Sequence, residues 1–200
     1  MNKSDLSLLY LRGPVHLGRF ILDRFVTAGD TVIDATCGNG HDTLHLAALV
    51  GESGRVWSFD IQPAALSATA ERLAAAGLTD RVNLIECSHG TLGEVVQGRV
   101  TAAVFNLGYL PGGDRSVVTR PESTVAALCQ ALEILAPGGI ITVSVYPGHP
   151  GGDAEAAAIT SWASSCSPRS AHVWQMGQLN ARAGAPYFIL IQKASSCCAP

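Results

Sequence analysis

The spacing of apolar residues switches repeatedly between a helical period and short continuous runs, and these switches predict alternating helices and strands. Across residues 13–27, Val15, Leu17, Phe20, Ile21, Leu22, Phe25 and Val26 recur at helical spacing, with His16, Arg19 and Arg24 assigned to a solvated face. Ala28-Gly29-Asp30 then turns the chain into Thr31-Val32-Ile33-Asp34, a β-branched run suited to a buried parallel strand. A helix over 42–50, a loop over 51–54 and a strand over 55–60 follow. Pro63 opens a helix over 64–76, since the first helical turn does not need its missing amide donor. Residues 81–86 and 100–105 read as further strands. A helix over 119–135 begins near Pro121, and Pro137-Gly138-Gly139 stops it before a strand over 140–146. Another helix opens near Asp153. The runs 171–179 and 186–193, joined by residues 180–185, predict an antiparallel hairpin. Residues 1–11 carry no decisive period, and 194–200 read as a flexible tail.

Strands separated by helices predict an α/β sheet whose ligands gather outside the strands' carboxyl ends, next to the switch point in strand order. The chemistry-bearing residues cluster at those ends. Asp34 closes the first strand, and Gly38-Asn39-Gly40 makes a tight turn before a helix led by Asp42. A dinucleotide fingerprint would place a third glycine where Thr43 stands, and its pyrophosphate would be repelled by Asp34. Asp60 ends the second strand about 20 residues beyond the turn, where α/β folds put the carboxylate that accepts ribose hydroxyls. Ser88 and His89 follow the third strand. The fourth runs into Asn106-Leu107-Gly108-Tyr109-Leu110-Pro111-Gly112-Gly113-Asp114, the place for substrate to meet cofactor. Tyr146 and His149 lie at the end of the fifth.

Composition narrows the partners only slightly. With 48% hydrophobic and 14% charged residues over 200, one compact domain is expected, and a net charge of -3 gives no global nucleic-acid signature while leaving a local patch open. The six cysteines make no Cys-x-x-Cys or zinc-like spacing and are read as reduced thiols. His149, Asp153 and Glu155 fix no ligand geometry, so no metal is expected. No signal segment or bilayer-length apolar run is evident, which predicts a cytoplasmic protein without membrane attachment.

Asp34-Ala35-Thr36-Cys37-Gly38-Asn39-Gly40 resembles motif I of the class I S-adenosylmethionine-dependent methyltransferases, whose cofactor is cationic at sulfur and carries an ammonium that a carboxylate suits, directly or through water. Asn106-Leu107-Gly108-Tyr109 resembles the Asn-Pro-Pro-Tyr loop of amine-directed methyltransferases, with Leu-Gly in place of Pro-Pro. Together with Phe59-Asp60-Ile61-Gln62 and Tyr146-Pro147-Gly148-His149, these strings resemble a small family long labelled rRNA methylases, which includes the enzyme that methylates the aminomethyl group of the tRNA wobble uridine. The resemblance implies a Rossmann-like, three-layer class I methyltransferase with a mostly parallel seven-stranded sheet, its domain spanning 29–193 after an N-terminal helical segment 1–28. It implies S-adenosylmethionine held by Asp34, Gly38, Asn39, Gly40, Asp42, Asp60, Gln62, Ser88, His89 and Asn106. Substrate would meet Leu107, Gly108, Tyr109, Pro111, Asp114 and Tyr146, with Asn106, Tyr109 and His149 as catalytic candidates. The substrate implied is the tRNA anticodon stem-loop, converted from 5-aminomethyl- to 5-methylaminomethyl-2-thiouridine. The alternatives are methylation of rRNA, a protein or a small molecule, and a nicotinamide oxidoreductase or nucleotide-binding module. Oligomeric state, including a homodimer, stays open.

Overall fold

Every apolar run expected as a strand enters a single sheet: β1 (Thr31–Asp34), β2 (Arg55–Asp60), β3 (Val82–Glu86), β4 (Val100–Asn106), β5 (Leu135–Val145), β6 (Ala171–Met176) and β7 (Tyr187–Lys193). The computed structural model describes residues 12–114 and 116–195, so the ambiguous stretch 1–11 and most of the expected tail lie outside the described residues. The strand order is β3-β2-β1-β4-β5-β7-β6, with the first five strands parallel and β7 antiparallel to both β5 and β6.

Alternation along the strands separates two cores. Val32, Val56, Ala102, Val104 and Ile140 point to one face and pack with Leu22 and Val26, Leu46 and Leu73. These come from α1 (Pro14–Phe25) and the segment just after it, α2 (His41–Leu49) and α3 (Pro63–Ala76). Ile33, Ala103, Phe105, Ile141 and Val143 point to the other face. There they meet α4 (Leu92–Val95), α5 (Pro121–Ile134) and α6 (Gly152–Ser165) through Leu92, Leu128 and Ile159. The result is a three-layer sandwich with a central strand β1 buried on both faces, as its β-branched composition requires. The N-terminal helix belongs to the same core, since a Cβ on Gly18 would stand 3.3 Å from the Phe188 ring of β7.

Two local features differ from expectation. Pro137-Gly138-Gly139 lies inside β5, because Leu135 already pairs with Val100 and the register then shifts before Ala102 meets Ile140. Gly139 is what lets the bulge lie flat: a Cβ there would stand 2.7 Å from the Thr101 carbonyl oxygen. The four-residue α4 and the short helical turn His89–Thr91 before it were not expected, since so few residues show no period.

The chain builds outward from β1 to β3, then returns to lay β4 on the other side of β1. That switch point opens a crevice between the carboxyl ends of β1 and β4, where Asp34 and Asn106 stand.

Candidate active site

The glycine turn is shaped by contacts from both of its flanks. Gly40 has φ +77°, and a Cβ there would come within 2.7 Å of Thr69 Oγ1, so the position combines a left-handed backbone with no room for a side chain. Thr69 Oγ1 donates to the Gly38 carbonyl at 3.0 Å, and Arg72 Nε donates to the Asn39 carbonyl at 2.9 Å. Asp60 accepts the Gly38 amide at 3.0 Å on one oxygen and the Gln62 amide at 2.9 Å on the other. Each oxygen keeps a further lone pair for a ligand hydroxyl.

Asp34 does not face the crevice. It is 1% exposed, with its carboxyl group accepting from Thr43 Oγ1 at 2.7 Å and from the Thr36 amide at 3.2 Å. Burial, reinforced by the charge of Asp42, pushes its pKa up to about 7. Its place is beneath the turn, tying β1 to α2, so it makes no direct contact with the cavity, and the carboxylates on the cavity wall are those of Asp42 and Asp60.

That cavity has a volume of about 1110 Å³, ample for a nucleoside cofactor together with an acceptor nucleotide. Its wall brings together Gly38, Asn39, Asp42, Asp60, Gln62, Ser88, His89, Asn106, Leu107, Gly108, Tyr109, Pro111, Tyr146 and His149. Three expected site residues do not line it: Asp34, Gly40, which is buried against Thr69, and Asp114, whose carboxylate accepts the Ser116 amide at 2.8 Å and shapes the loop instead. His89 is buried at 8% exposure, and burial holds its imidazole below the usual pKa.

At the reacting end, Asn106 Nδ2 donates to Asp42 Oδ2, while Asp42 Oδ1 takes both a hydrogen bond and an ion pair from Arg19 at 2.7 Å. The Asn106 amide N–H donates to Thr36 Oγ1 at 2.7 Å, anchoring its backbone to the glycine turn. A carboxylate can only accept, so the amide must turn its nitrogen to Asp42; Asn106 Oδ1 is then left buried with no hydrogen-bond partner among the described residues. His149 is also poised. Its Nδ1 lies 3.1 Å from the Pro150 carbonyl, which can only accept, so in the neutral ring the proton sits on Nδ1 and the lone pair on Nε2, which is buried beside Gly108 without a partner among the described residues. The Tyr109 ring meets His149 edge-on with centroids 6.1 Å apart and stays 39% exposed at the mouth. Tyr146 is held protonated by burial and by the negative charge of Asp42.

Residues 56–192 match the family described as "Putative rRNA methylase", which is more than half of the chain. The chain belongs to this family. Among its relatives is the chloroplastic tRNA (mnm5s2U34)-methyltransferase of Arabidopsis thaliana, 40% identical over 173 residues, a match covering 80% of this chain and 63% of that protein. The chain thus spans less than two thirds of that relative's length. A solved structure described as a "putative rRNA-methylase" from Clostridium thermocellum is 41% identical, with TM-score 0.90 over 92% of this chain and 100% of that one. Another, a "putative methyltransferase" from Streptococcus mutans in complex with SAH, is 34% identical, with TM-score 0.83 over 92% of this chain and 99% of that one. The Rossmann-like class I methyltransferase fold expected from the motifs is therefore the fold observed. No described helix is long and apolar enough to cross a membrane, and the described residues hold no group of side chains that could bind a metal ion.

The loop after β4 is held by residues that the linear pattern did not point to. Thr119 Oγ1 accepts the Gly108 amide at 2.8 Å, and the Thr119 amide donates to the Gly108 carbonyl at 2.9 Å. Glu155, 2% exposed, accepts the Thr119 hydroxyl at 2.7 Å and the Thr124 hydroxyl at 2.6 Å. Its position in the first turn of α6 was a visible signal, read only as a failed metal ligand. Arg19, assigned to a solvated face, instead pairs with Asp42 inside the crevice. Its helical position was readable, but its partner 23 residues away was not.

Proposed function

We propose that this chain is an S-adenosylmethionine-dependent methyltransferase that methylates the 5-aminomethyl nitrogen of 2-thiouridine at the tRNA wobble position, giving 5-methylaminomethyl-2-thiouridine. The observation that carries this reading is Asn106 Oδ1: a buried amide oxygen, orphaned by the commitment of its nitrogen to Asp42, asks for an N–H donor entering the crevice. A neutral amine supplies one and keeps that N–H on the oxygen while its lone pair attacks; a hydroxyl must give up its only hydrogen to become a strong nucleophile, and a carbon acceptor has no such donor.

The residues present fit the cofactor. Asp60 offers lone pairs to ribose hydroxyls, Gly38 and Asn39 allow close approach, Asp42 gives the wall negative charge, and Ser88 and His89 border the adenine side. When bound, S-adenosylmethionine supplies a methyl group already activated by its sulfonium. The protein's part is then alignment and exclusion of water. Asn106 Oδ1 orients the amine, whose lone pair must be free of its proton to attack. His149 Nε2 stands ready to accept that proton, because its tautomer is set by the Pro150 carbonyl. Tyr109 borders the uracil ring, as a base drawn out of its stack requires.

The name of the Arabidopsis relative supports the wobble nucleoside, and the family description favours rRNA as the second reading. Labelled methyl transfer separates them: the purified protein should label tRNA bearing the aminomethyl group and not the same tRNA without it. Transfer to ribosomal RNA alone would assign the second reading.

A further inference from the structure

Most described arginines have their guanidinium groups engaged. Arg19 pairs with Asp42; Arg55, Arg72, Arg81 and Arg99 donate to backbone carbonyls at 2.7 to 3.0 Å in their closest contacts. Arg120 and Arg182 make no such contact among the described residues, are exposed, and both line the wall of the reaction cavity. Two arginines free of partners at one cavity, on a chain of net charge -3, form a local exception to the global charge.

Their placement follows from the fold. Arg120 caps α5 and directly follows Thr119, which is paired with Gly108 through its backbone amide and its hydroxyl. Arg182 lies on the β6–β7 connection, which reaches the same end of the sheet because β7 begins opposite Val145 at the end of β5. Two residues further on, the Gly184 carbonyl comes within 3.7 Å of where a Cβ on Gly148 would stand, next to His149. The two loops that meet the reaction residues therefore each present one free cation, with the exposed Tyr109 ring on the same cavity.

We infer that Arg120 and Arg182 form a phosphodiester-binding site that grips the RNA backbone on either side of the nucleotide entering the cavity. The inference rests on the RNA substrate of the proposed function. A guanidinium fork matches phosphate oxygens, and cations are needed here because Asp42 and Asp60 inside the cavity repel a polyanion. Backbone grip positions the strand without reading its bases, and base recognition is left to the loop around Tyr109.

The test compares wild type, the double variant Arg120→Ala/Arg182→Ala, and Arg169→Ala, a control whose guanidinium is free but lies away from the cavity. Binding of an anticodon stem-loop is followed against salt, together with S-adenosylmethionine affinity and tRNA methylation. Removing two single-strand phosphate contacts should make the plot of log affinity against log salt shallower by about 1.4. The double variant should also raise the KM for tRNA about tenfold or more, while cofactor affinity and the Arg169→Ala protein stay at wild-type values. An unchanged salt slope in the double variant, or an equal loss in Arg169→Ala, overturns the phosphate site while leaving the methyltransferase reading standing. If wild type neither binds nor methylates the RNA, the proposed function fails, and this site falls with it.

Discussion

At Asn106 one amide serves two directions: its nitrogen is committed to Asp42, and its oxygen is free in the crevice. Asn106→Ala should cut turnover about a hundredfold or more, since misplacing a reacting group by ~1 Å has that effect, while cofactor affinity changes only a few-fold. Tyr109→Phe should be mild if the ring only borders the base. Single-turnover methylation and calorimetry read the two quantities separately; an active Asn106→Ala protein would remove the amide from the alignment of the acceptor. Asp34 makes a different prediction. Its pKa is about 7 when folded and near 3.8 otherwise, so between those values the folded state holds one proton more than the unfolded state. Stability from this group is therefore present at low pH and is lost as pH rises through about 7. His89 acts with the opposite sign just below 6.5, because burial lowers its pKa, but it is common to both proteins in a comparison. The stability of Asp34→Asn relative to wild type, from urea unfolding between about pH 4 and pH 8, should thus grow with pH. A constant difference would mean that Asp34 is ionised throughout.

At the scale of elements, the loop after β4 is a strap closed by its own ends and bolted to α5 and α6 through one buried carboxyl group. Glu155→Ala would leave the half-buried Thr119 hydroxyl and the buried Thr124 hydroxyl without their carboxylate acceptor, a loss of about 1–3 kcal/mol for the buried Thr124 group and less for Thr119. The urea midpoint should fall accordingly. Glu155→Gln, which still offers an acceptor and a similar volume, should recover most of the loss. Equal midpoints for Glu155→Ala and wild type would show that the strap is held elsewhere. This buried connection also marks the limit of what a linear pattern can show. The β-branched runs at 31–34 and 140–145 and the acids closing β1 and β2 were readable because strand burial and site position both follow local order. Glu155 and Thr119 lie 36 residues apart and meet only in the folded chain. Asp34 was legible as a strand-ending acid but not its inward turn, which depends on Thr43 across the glycine loop. Pro137-Gly138-Gly139 read as a stop because turn residues look the same inside a bulge as between elements.

At the scale of the molecule, a three-layer sandwich brings the Asp42 and Asp60 carboxylates, the Asn106 amide oxygen and two free arginines to one edge, and the switch between β1 and β4 is what makes that edge a crevice. The fold and family leave substrate choice to this edge, where the Asn106 amide oxygen stands buried without a partner among the described residues and the Tyr109 ring is exposed. Mass spectrometry of tRNA nucleosides from cells lacking this protein tests that choice most directly. The account predicts that 5-aminomethyl-2-thiouridine accumulates, its methylated product disappears, and the wild-type gene but not Asn106→Ala restores it. An unchanged level of the methylated wobble nucleoside in those cells would contradict it.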